Sequence, residues 1–91
     1  MSSMTIGDLA MHVLTNGGIT FTDFEPRNQP GYESDIADVV GCSRNQTDSL
    51  LRAYDALQDD HHYSHKREVI RPRRDEQEIY PAEIRVTLTP A

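Results

Sequence analysis

Residues 33–57, ESDIADVVGCSRNQTDSLLRAYDAL, constrain the fold most, because two helical patterns meet there across a very short break. Ile36, Ala37 and Val40 stand at i, i+1 and i+4, so a short helix beginning near Ser34 carries one small apolar face. Gly41 ends it, supplying the left-handed cap that a Cβ resists, and Cys42 follows as a small residue that turns toward the core. Ser43 with Gln46 three residues on is a capping-box signature, which predicts that a second helix starts there. Its stripe is Leu50, Tyr54 and Leu57 with Leu51 and Thr47 beside them. Arg44, Asn45, Asp48, Ser49, Arg52 and Asp55 face away from it.

The flanking segments supply the rest of one small domain over residues 1–91. Residues 1–4 carry no pattern and are expected to be disordered. Thr5 with Asp8 forms a candidate N-cap, and Ile6, Leu9, Ala10, Val13 and Leu14 recur with helical spacing until Asn16-Gly17-Gly18 stops them. Ile19 to Phe24 has the β-branched and aromatic content of a short strand, with incomplete alternation. Two prolines and a Pro-Gly pair make 25–32 a loop. After a polar break at 58–62, residues 63–71 read as a strand. Ala82, Ile84, Val86 and Leu88 alternate strictly with polar residues, and the charged segment 72–78 reads as the tip of a hairpin between the two.

Ala37 in the first helix, Gly41 in the turn, and Ser43-Arg44 opening the second helix together resemble the helix-turn-helix of prokaryotic and phage regulators. With a helix and short strand before it and a ribbon after it, the chain resembles the winged variant. That resemblance implies an α+β winged helix-turn-helix: three helices, a short strand after the first, the helix-turn-helix at 34–57, and a C-terminal two-stranded β-hairpin wing at 63–89. It also implies a small transcriptional regulator binding double-stranded DNA, with the helix from Arg44 in the major groove. Arg44 suits guanine acceptors and Asn45 an adenine edge, while Ser43 and Ser49 suit phosphates or adaptable contacts, and Arg52 a phosphate. Asp48 either accepts from a cytosine amine or pairs with Arg44 and Arg52 at helical spacing. Lys66, Arg67, Arg71, Arg73 and Arg74 are the cations a wing would bring to the backbone or minor groove.

Charge qualifies the reading. The formal net charge is −6, yet it is unevenly placed: residues 1–60 hold three basic and ten acidic side chains, and residues 61–74 five basic and one acidic. A helix face rich in Asp suits a protein partner, so the alternative expectation is an acidic winged-helix interaction module or a phage-type inhibitor of a host protein. A homodimer is expected in either case, because a chain this short buries a limited core.

Other classes are expected to be excluded. A single cysteine forms no intrachain disulfide. The chain has neither an apolar run of membrane-spanning length nor the pattern of a signal peptide, which points to a cytoplasmic protein without membrane contact. His61, His62 and His65 form the only metal-like cluster, with His61 and His65 on one face only if the preceding helix continues. They read as exposed hinge histidines, and neither metal nor other cofactor is expected. No glycine loop that would cradle phosphate and no nucleophile with a placed base occurs, so no enzyme is expected.

Overall fold

The computed structural model describes residues 6–75 and 79–91. Helix α1 spans Ile6–Asn16, strand β1 Ile19–Glu25 and helix α2 Ile36–Val40. A 3-10 turn at Arg44–Gln46 leads into helix α3, Thr47–Leu57. Strands β2 (Tyr63–Arg71), β3 (Arg74–Asp75), β4 (Ile79–Tyr80) and β5 (Ala82–Pro90) follow. Among the described residues the result is a small α+β fold, with three helices packed on one antiparallel sheet ordered β1-β5-β2. None of these helices is long and apolar enough to cross a membrane.

Strict alternation in β5 makes it the central strand. Ile84, Val86 and Leu88 point inward and are buried, opposite Asp23, Phe21 and Ile19 of β1. On the other side the same three residues face Val69, Arg67 and His65 of β2. Leu9 and Val13 of α1, Ile36 and Ala37 of α2, and Leu50, Leu51, Ala53, Tyr54 and Leu57 of α3 close the core over this face. Each fully buried aliphatic side chain contributes roughly 1.5–3 kcal/mol. Cys42 packs half-buried against the cluster.

Gly18 marks the closest approach of the α1 terminus to the sheet. Its N–H donates to the Val13 carbonyl at 3.0 Å, closing the helix end. Its φ is +133°, and an added Cβ would lie 3.1 Å from the Leu88 carbonyl oxygen and 2.9 Å from Thr89 Cγ2. Gly18→Ala is therefore expected to cost ~2 kcal/mol through backbone strain and collision. Urea unfolding with an unchanged m-value checks this, and a midpoint equal to that of the parent would show that β5 gives way at no cost.

Several expectations are corrected. Leu14 is 53 % exposed rather than part of the core stripe, because a turn of 3.6 residues carries it about 140° round from Leu9. Helix α2 starts at Ile36 rather than near Ser34. Ser34 and Asp35 are used instead against β1: the Ser34 hydroxyl donates to the Thr22 carbonyl, and Asp35 Oδ1 accepts from the Thr22 N–H at 2.6 Å. The Phe24 N–H in turn donates to Asp23 Oδ1 at 2.8 Å, so main-chain groups on the outer edge of β1 end on side chains. Ser43 makes no side-chain capping bond. The Gln46 N–H reaches the Ser43 carbonyl at 2.9 Å and Thr47 Oγ1 donates to the Arg44 carbonyl at 2.7 Å, so the helix opens with a tighter turn than a capping box would.

The segment 72–78 is not simply a hairpin tip. Arg74 and Asp75 pair with Tyr80 and Ile79 in a second, two-stranded ladder, beyond a register shift between Val69 and Arg71. Residues 76–78, the disorder expected for 1–4 and the cap expected at Thr5 lie outside the described residues. Helix α3 ends at Leu57 while His65 sits in β2, so His61 and His65 share no helix face.

Candidate functional site

The outward side of the α2-turn-α3 unit carries a run of exposed polar and charged side chains. Leu50, Tyr54 and Leu57 hold α3 to the core, which leaves Arg44, Asn45, Asp48 and Arg52 in solvent and Ser49 half-buried. Ser43 is also exposed, in extended conformation ahead of the 3-10 turn. The Arg44 side chain is 88 % exposed, with its Nε 3.8 Å from Asp38 Oδ1. Arg44 thus turns toward α2 rather than to Asp48, and among the described residues no ion pair joins Asp48 to Arg52. Between α3 and the loop 26–35 lies a cleft of about 800 Å³, with Tyr32 and Leu51 in its lining, Asp23, Glu33, Asp35, Asp38 and Asp48 supplying carboxylates, and Arg27 and Arg44 supplying two cations.

The basic residues of β2 and the following ribbon divide. Lys66 and Arg73 are exposed. Arg74 is described only as a β3 backbone position. Arg71 lies beside two rings that stack with centroids 6.4 Å apart, its guanidinium carbon 4.6 Å from the centroid of Tyr80 and 5.7 Å from that of Tyr32, with Glu83 at 3.9 Å. Arg67 turns inward. It donates from Nη1 to Asp23 Oδ2 at 3.2 Å and to the Tyr54 hydroxyl at 3.1 Å, and from Nη2 to Glu25 Oε1 at 2.8 Å. The ribbon therefore presents fewer outward cations than its composition promises.

Asp23 is the hub of this interior pairing and a residue that sequence reasoning missed. It stands in the inward row of β1 after Ile19 and Phe21 and is 0 % exposed. Besides Arg67, it accepts from Arg27 Nε at 3.0 Å and Arg27 Nη2 at 3.1 Å. Arg27 reaches onward to Asp55 of α3 in a two-pronged pair at 2.7 and 2.8 Å. Two arginines and three carboxylates thus tie the β1 end, the 26–35 loop, α3 and β2 together. The signal available in sequence was the spacing Ile-x-Phe-x-Asp, which completes the alternation of β1 once an acid is allowed inside.

Ionisation follows from this packing. The hydrogen bond to Asp55 raises the Arg27 pKa well above its ordinary value, against the opposing effect of burial. For Arg67 burial opposes charge, but the bond to Tyr54 and the charge of Asp23 outweigh it and the pKa rises. Burial pushes the Tyr54 phenol up, partly offset by Arg67. Tyr54 packs edge-on to Phe21 with centroids 5.2 Å apart, and its hydroxyl lies 3.5 Å from His65 Nδ1. Farther along, Asp60 is held below the usual carboxylate range by the His62 N–H and ring. Among the described residues, no three His, Cys, Asp or Glu side chains are grouped to hold a metal ion.

No family model matches this sequence, and no curated protein or solved structure is significantly similar to it.

Proposed function

We propose that the chain is a winged helix-turn-helix domain acting as a small regulator that binds double-stranded DNA as a homodimer. The observation that carries this reading is the uncovered outward face of the turn and α3, where Arg44, Asn45, Asp48 and Arg52 stand in solvent while the opposite face is fully packed. The element order and the sheet order β1-β5-β2 support the same reading.

In this reading Arg44 and Asn45 meet base edges and Asp48 accepts from a cytosine amine, while Ser43, Ser49 and Arg52 meet the flanking strand. Lys66, Arg73 and Arg74 track the backbone. Arg67 and Arg71 act from within, Arg67 holding β2 to the core and Arg71 stiffening the ribbon against the stacked Tyr32 and Tyr80. With about four cationic phosphate contacts per chain, from Arg52, Lys66, Arg73 and Arg74, log affinity is expected to fall with log salt at a slope of about −3.6 per chain. Fluorescence anisotropy with random duplex at two salt concentrations measures it. Arg44→Ala together with Arg73→Ala is expected to weaken binding on the order of 100-fold. Unchanged affinity would reject α3 and the wing as the contact surface.

A second reading rests on the carboxylates of Glu33, Asp35, Asp38 and Asp48 around the cleft. They suit a protein partner with a basic segment and repel phosphate. Absence of DNA binding even at low salt selects this reading, with Asp38→Lys and Asp48→Lys as the variants that abolish capture of such a partner.

A further inference from the structure

We infer that the free edge of β2 joins a second copy of this chain, extending the sheet across a two-fold axis centred on Arg67. This concerns the dimer of the reading above but rests on strand geometry and charge, independently of any nucleic acid.

The hydrogen-bond alternation identifies the groups at that edge. Thr22 turns its N–H and carbonyl off the ladder, so the odd residues of β1 bond to the even residues of β5. The odd residues of β5 then bond to even residues of β2, and the Ala91 N–H to His62 carbonyl bond at 2.8 Å continues that series. His65, Arg67 and Val69 therefore direct their main-chain groups to the outer edge, while the Tyr63 N–H donates to the Asp60 carbonyl at 3.2 Å. Among the described residues no other strand pairs there.

An antiparallel pair about a two-fold axis perpendicular to the sheet places each residue opposite one of the same parity. Centring the axis on Arg67 sets Lys66 against Glu68 of the other copy, twice by symmetry, on the solvent side. It also sets His65 against Val69, covering an apolar side chain that is exposed in the single chain, just before the register shift that follows Val69. Shifting the centre to Lys66 or Glu68 opposes like charges, and the register shift between Val69 and Arg71 breaks the regular pairing that a centre on Val69 needs. The two Arg67 side chains that meet at the chosen centre are each drawn inward to Asp23 and Glu25 of their own chain, which neutralise them. Among the centres Lys66, Arg67 and Glu68, charge thus favours Arg67.

Sedimentation equilibrium without nucleic acid tests it. The parent is expected to be dimeric at micromolar concentration. Lys66→Glu and Glu68→Lys, each at an exposed position, are expected to raise the dissociation constant at least tenfold when measured alone. The double charge swap, and an equimolar mixture of the two single variants, should each restore association. A monomeric parent, a dimer indifferent to both single changes, or a failure of the mixture to associate would overturn the proposal. Circular dichroism confirms that each variant keeps the parent fold.

Discussion

Replacing Asp23 by alanine is expected to lower the unfolding free energy by about 3 kcal/mol and the melting temperature by about 12–24 °C, as measured by urea and thermal unfolding. Removing one partner of a buried ion pair strands the other, and here it strands two guanidinium groups at once. The loss falls at the lower end of the range for such pairs because Arg27 keeps Asp55 and Arg67 keeps Glu25, and both arginines retain some solvent. Asp23→Asn keeps the shape and one acceptor oxygen, so it should lose less. A change under ~1 kcal/mol for Asp23→Ala would place the cluster among ordinary surface pairs.

A second large effect is expected at Tyr54. Tyr54→Ala should cost ~3–5 kcal/mol, a large share of the total stability of a domain this size, because the ring is fully buried against Phe21. Tyr54→Phe keeps the ring and removes only the hydroxyl that accepts from Arg67, at ~1 kcal/mol, since Arg67 retains two carboxylates. Equal losses for the two variants would mean that the hydroxyl, not the packing, holds α3 on the sheet. Chemical denaturation of both proteins under one set of conditions separates the cases.

These two residues also show how far the fold was legible in the sequence. The stripe containing Tyr54 announced a helix face, and the alternation of Ile84, Val86 and Leu88 announced a central strand, because burial of apolar side chains at fixed period is a local pattern. Residues 63–71 were readable as β2 from their extended formers, although most of that strand is exposed. Asp23 was not readable in the same way, since acidic residues are seldom fully buried without a partner and its partners are distant. Arg67 lies 44 positions along the chain from Asp23, and Arg27 lies 28 from Asp55. Charge counted along the chain therefore overstated the cations available to a nucleic acid. Ser43 and Gln46 carried the local signature of a cap, yet backbone bonds in the 3-10 turn took its place.

The side chains of Ser34, Asp35 and Asp23 that occupy main-chain groups along the outer edge of β1 bear on how such a molecule behaves at high concentration. A sheet exposing both edges adds copies without limit and grows into fibres. In β1 the side chains take both main-chain groups of Thr22 and the N–H of Phe24, which leaves a poorer template for strand addition at that edge than a bare one. Asp35→Ala, which uncovers the Thr22 amide, is therefore expected to make strand addition at the β1 edge easier, and light scattering at high protein concentration checks this.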